Sequence, residues 1–131
     1  MANGTIAFDT LTTSDSANTG TEKSIDTSYL FNGVSKHWLN LDGTGTIAIS
    51  DSFNCASVTD DGTGDYDPFF TSNMSNTEYS ASGACPSGSG DHSVINITAL
   101  ATNKYRIVVS DGGSSLEDQD PVMSQIQGDL A

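Results

Sequence analysis

The apolar residues of this chain come in short alternating runs, each closed by a cluster of Gly, Asp, Asn, Ser or Pro. Ile47 and Ile49 alternate with Thr46, Ala48 and Ser50; Ile95 and Ile97 alternate with Asn96 and Thr98; Ile107 and Val109 are separated by one residue. A period of two lines one face of a strand, whereas an amphipathic helix needs a period near 3.6 sustained over about ten residues. Helix formers such as Leu, Lys, Arg, Glu and Gln are few, and Ala is scattered without helical spacing. Thr favours pleated, half-exposed strands, and Ser, Asn, Asp and Gly favour turns. About eight short strands with turns every 8–12 residues predict an all-β chain, a small antiparallel β-sandwich or barrel-like domain.

The turns carry a repeat. The tetrapeptide Asp-Gly-Thr-Gly stands at residues 42–45 and again at 61–64. A phosphate loop needs a helix after its glycines, and neither copy is followed by a helical pattern or by Lys-Ser/Thr. Asp60, Asp61, Asp65 and Asp67 crowd the second copy, which suits a hard cation. Yet Thr71 or Ser72 stands where an EF-hand places its bidentate Glu, so a calcium ion is the lesser reading. Both copies lie between alternating segments, and Asp-Gly supplies the positive φ of tight hairpins. Gly43, Gly45, Gly62 and Gly64 are therefore expected to serve backbone geometry.

Along the chain, residues 4–12 alternate through Ile6, Phe8 and Leu11, and 13–24 hold no large apolar group. Residues 25–34 form a short apolar anchor (Ile25, Tyr29, Leu30, Phe31) ending at a turn around Asn32-Gly33. In 36–42, Trp38 and Asn40 point one way and Leu39 and Leu41 the other. Pro68 donates no ladder hydrogen bond, so 65–71 is expected at a sheet edge or at a strand start. Residues 77–85 read as a strand centred on Tyr79. The run from Val94 pairs with the run from Lys104 across Ala101-Thr102-Asn103. The expected layout is an arm and connection over 1–24, the β-domain over 25–111 and a C-terminal arm over 112–131. Within it, Val122 to Ile126 reads either as one last strand or as part of the arm.

At 131 residues one domain with one core is expected. The net charge of −13, 17 acids against 4 bases, repels nucleic-acid phosphates and anionic membranes. It must also be neutralised locally wherever copies pack. The start of the chain lacks a basic and apolar leader, and no run approaches the roughly 20 apolar residues of a membrane helix. Synthesis in a cytoplasm, with release by another process, is expected. Cys55 and Cys85 lack metal-site spacing and read as two buried thiols, or as a disulfide if the protein ends outside the cell. No cofactor or metal is expected. His37 reads as a strand-surface residue and His92 as a loop residue, and no nucleophile–base arrangement is legible, so catalysis is not expected. Lys23, Lys36, Lys104 and Arg106 are too few for a basic patch; they read as partners for acids on a neighbour or as solvated charge, the latter being favoured for Lys23.

The segment KHWLNLDGTGTIAISDSFN at 36–54, with SVTDDGTGDY at 57–66 and MSNTEY at 74–79, resembles a β-module recurrent in virion proteins of tailed bacteriophages, tail-fibre-like in type. The likeness covers about residues 36–80, and GTIAFDTLTTSD at 4–15 extends it more weakly. His37, Cys55 and Pro68 depart from its pattern. Long fibre proteins carry the module on a large chain; a lone module with polar arms is the usual form of capsid decoration (cement) proteins. The resemblance thus implies a structural virion protein, made in the host cytoplasm, that binds the major capsid protein as a homotrimer. Ile6, Phe8, Leu11, Val122, Met123 and Ile126 would be the contact anchors of its two arms. The alternative is a tail-fibre or receptor-binding module for host glycans, with Tyr66, Tyr79 and Asp65 lining a groove and Trp38 a sugar platform. For Trp38 itself, packing is the favoured reading, since Leu39 and Leu41 share its strand.

Overall fold

A computed structural model describes residues 24–87 and 92–131, together with the backbone of 10–12. The chain divides into two compact units, Met1–Val34 and Ser35–Ala131. The boundary falls ten residues later than the sequence suggested, and 112–131 belongs to the second unit.

In the first unit, strand β1 (Thr10–Thr12) pairs antiparallel with β2 (Ser24–Asp26). Helix α1 (Thr27–Gly33) follows at once. Its start is set by Asp26, whose carboxylate accepts from the Ser28 amide at 2.8 Å and from the Ser28 hydroxyl at 2.6 Å. Its end is set where the Val34 amide donates to the Leu30 carbonyl. The apolar stretch expected here is helical because that cap precedes it. The helix buries none of its residues.

The second unit is a β-sandwich of two four-stranded antiparallel sheets. The first sheet has the order β4-β3-β10-β7, from β3 (His37–Asp42), β4 (Ala48–Phe53), β7 (Ser80–Ala84) and β10 (Val122–Gln127). The second has the order β5-β6-β9-β8, from β5 (Cys55–Gly62), β6 (Asp65–Phe70), β8 (Val94–Thr98) and β9 (Arg106–Ser110). Between the sheets lies one core. Leu39, Leu41, Val122 and Ile126 of the first sheet pack with Tyr66, Phe70, Ile107 and Val109 of the second, together with Met74, Tyr79 and Tyr105. Fully burying each such side chain contributes about 1.5–3 kcal/mol.

Several expectations change here. Residues 122–127 form no arm: β10 is an interior strand, pairing with β3 on one side and β7 on the other. Val122 and Ile126 are fully buried and touch only this chain's core. Pro68 lies within β6, itself an interior strand between β5 and β9. It is tolerated there because the β6–β9 ladder runs over Asp65 and Tyr66, breaks, and resumes as a single bridge at Phe69. In the gap the Pro68 carbonyl still accepts from the Tyr105 amide. The strand expected over 77–85 is the shorter β7, and Tyr79 precedes it as a core residue. The β8–β9 hairpin closes with Ala101 donating to Lys104.

Candidate interaction surface

Both glycine tetrapeptides join antiparallel strands. The first links β3 to β4, with Asp42 accepting from the Thr44 amide and hydroxyl and Gly45 at φ +61°. Those two donors hold the Asp42 carboxyl below its ordinary range. The second closes the β5–β6 hairpin, with Gly62 paired to Asp65 and Gly64 at φ +63°. Among the described residues, no group of three or more His, Cys, Asp or Glu comes together to hold a metal ion.

The two loops meet at one point. The Tyr66 hydroxyl lies 3.2 Å from the Gly43 carbonyl and 2.9 Å from Asp118 Oδ1. The same Asp118 oxygen accepts from the Gly64 amide at 2.7 Å. Tyr66, Tyr79 and Asp65, the residues expected to line a glycan groove, are all buried. Tyr66 and Tyr79 fill the core, and Asp65 pairs with Arg106. Beside that pair, Lys104 binds Asp67. These two bases therefore neutralise acids of their own chain rather than a neighbour's, because β6 and β9 are adjacent and place the partners on one face. Lys36 is buried too, while Lys23 lies outside the described residues.

His37 is not a surface residue. The period of two that buries Leu39 and Leu41 buries it with them. Its Nε2 lies 2.7 Å from the Tyr105 hydroxyl, which is 2.5 Å from Ser124 Oγ, and its Nδ1 lies 3.3 Å from the Asn54 carbonyl. Burial pushes the imidazole pKa down, so it is held neutral and is spent on tying β3, β10 and the β4–β5 corner together. His92 is exposed in its loop.

Cys55 and Cys85 are separate free thiols. Cys55 opens β5, an edge strand; Cys85 follows β7, which lies against β8 at the opposite edge through Gly83 and Ile95. Of the two readings, free thiols or a disulfide, the structure has the thiols, each half-buried, and burial raises both thiol pKa values.

Of the expected arm anchors, Ile6 and Phe8 lie outside the described residues, as does the side chain of Leu11. Met123 alone of the C-terminal set faces out, 39 % exposed, on the outer surface of the first sheet. There it meets a residue the sequence reading had favoured for packing. Trp38 is 37 % exposed, pointing away from the core. Strand pairing sets Trp38 beside Phe53 on one side and Gln125 on the other, with Ser82 beyond; the next row is Asp51, Asn40, Met123 and Ala84. Trp38, Asn40, Ser82, Met123 and Gln125 line a shallow depression of about 430 Å³. The Asn40 Oδ1 atom is shielded from solvent and has no hydrogen-bond partner. This face is the surface the sequence reading missed: its residues come from three strands that are far apart along the chain.

The chain matches no family model, no curated protein and no solved structure.

Proposed function

We propose that this chain is a structural protein of a tailed-bacteriophage virion, a capsid decoration protein that sits on the major capsid protein as a homotrimer. The observation that carries the reading is α1. Tyr29 is 74 % exposed and Phe31 56 %, Leu30 and Val34 are also exposed, and the helix buries nothing. An isolated helix under about 12 residues is marginal in water, and most helices are held by packing of an apolar face. A seven-residue helix that shows the Tyr29 ring, with Leu30 and Val34 exposed beside it, is suited to insertion into a groove on another protein. The resemblance over 36–80 supplies the virion context.

The test adds the purified chain to capsids stripped of it and counts bound copies on a quantitative gel. Hundreds of copies per particle, lost in a Tyr29→Ser/Phe31→Ser double variant that keeps its β-sheet spectrum, support decoration. A handful of copies at the tail, or unchanged occupancy by the double variant, overturns it.

The second reading, a glycan-binding tail module, is favoured by exposed Trp38 beside the Asn40 and Gln125 amides. Binding of the isolated protein to host-surface glycans, lost in Trp38→Ala, would select it.

A further inference from the structure

The two outer faces of the sandwich carry opposite chemistry. Asp65, Asp67, Lys104 and Arg106 put two ion pairs on the β6–β9 face. Across the sandwich, β7 and β10 contain no charged residue, and β3 has only Asp42 at its end. Exposed Trp38, Phe53 and Met123 stand there instead, spread over three adjacent strands.

We propose that this uncharged face is a self-association surface, covered by the same face of a second copy of the chain. The argument is electrostatic first. Two molecules of net charge −13 repel wherever their carboxylates are brought together. On this face they approach with two carboxylates near the contact, Asp51 on the edge strand β4 and Asp42 at the end of β3. Size separates this occupant from a small ligand. Phe53 extends the apolar surface beyond the depression, past the reach of one sugar ring.

Magnitude bounds the strength. Four strands about 4.8 Å apart and about five residues long give a face of roughly 15 by 17 Å. That is well below the about 800 Å² per partner of a standard interface, so the contact is weak in solution. Copies already fixed side by side on a lattice would gain it as an intramolecular contact. The inference does not depend on capsid binding: loss of capsid occupancy leaves it intact, and its failure leaves the α1 reading intact.

Trp38 is the only tryptophan, so its emission reports cover on this face directly. The experiment follows sedimentation mass and Trp emission of the full chain from about 1 to about 300 µM, at about 0.05 and 0.5 M NaCl. Mass should rise from 13.6 kDa toward two copies, with a blue shift, and more so at high salt, where repulsion is screened. Met123→Asp should weaken association at least about tenfold by setting like charges face to face, while Thr98→Asp on β8 of the other sheet should not. If Met123→Asp loses its β-sheet spectrum, Ser82→Asp decides in its place. A one-copy mass with unchanged emission throughout would sink the proposal. So would equal association by the Met123 variant and the parent. An emission shift on adding neutral oligosaccharides, with the mass fixed at one copy, would overturn it in favour of a sugar.

Discussion

The two Asp-Gly-Thr-Gly copies are identical in sequence and different in structure. At 42–45 the tetrapeptide opens a loop between Asp42 and its partner Ala48, stiffened from within by the Asp42–Thr44 hydrogen bonds as well as tied from outside at Gly43, which donates to the Gln119 carbonyl and accepts from Tyr66. At 61–64 it closes a hairpin with only Thr63 and Gly64 between paired Gly62 and Asp65, and it is stiffened from outside. Gly64 donates to Asp118, and its carbonyl accepts from Val109. The same four residues thus turn the chain in two ways. The pairing register and the neighbours choose between them: local sequence specifies that the chain turns, and tertiary contacts specify how.

That contrast can be broken in graded steps. The largest effect is expected at Gly64, where a Cβ would lie 2.5 Å from the Val109 carbonyl and 2.7 Å from that of Glu117, on a backbone at φ +63°. Gly64→Ala should cost about 3 kcal/mol or more in urea unfolding; a loss under about 1 kcal/mol would mean the hairpin is not packed as described. Gly43→Ala comes next, at about 2 kcal/mol. Its Cβ would meet the Tyr66 hydroxyl at 2.3 Å and the Gln119 carbonyl at 2.9 Å.

Tyr66→Phe tests the joint between the two loops. It leaves the Gly43 carbonyl and Asp118 short of a donor and should cost about 1–2 kcal/mol. Because both changes act at one contact, Gly43→Ala and Tyr66→Phe together should cost clearly less than their sum in a double-mutant cycle. The pH dependence follows from the same hydroxyl. Burial, then Asp118, pushes the Tyr66 pKa up, so the folded chain keeps a proton that the unfolded chain loses above about pH 10. Its stability is fully present below that pH and falls as pH rises further. Tyr66→Phe should shallow the alkaline fall without removing it, since burial also raises the pKa of Tyr105. The smallest step is Gly45→Ala: φ is +61° but nothing lies within 4 Å of the added Cβ, so about 1 kcal/mol of backbone strain is the whole cost. A Gly45 loss equal to that at Gly64 would erase the distinction between the loops.

The sandwich was legible where strands follow one another along the chain. Ile95, Ile97, Ile107 and Val109 mark β8 and β9 by alternation alone, and a short connection joins them. It was illegible where pairing is distant. Val122-Met-Ser-Gln-Ile-Gln has the period of two, but with only three apolar residues it reads equally as an arm. What makes it a strand is the pair of edges that β3 and β7 offer it. His37 obeyed the same alternation as Leu39, yet the polarity of imidazole pointed outward; its partner Tyr105 lies 68 positions away along the chain, and Ser124, which Tyr105 meets in turn, lies 87 away. The interaction face was half readable. Trp38 and Asn40 were placed on one side correctly, but Leu39 and Leu41 on the same strand argued for packing, and only the register brings Gln125, Met123 and Ser82 beside them. The start of α1 was illegible as a helix, because Asp26 before Thr27 and Ser28 reads equally as a turn among β-rich neighbours.

The place of β10 has a consequence for how the molecule is made. β3 and β7 share no hydrogen-bonded neighbour until residues 122–127 slide between them, so the first sheet stays two separate pieces while the second can already pair β5, β6, β9 and β8. On a ribosome the half that carries Trp38 would be the last to knit, its apolar side chains open to passing strangers until the final stitch is drawn.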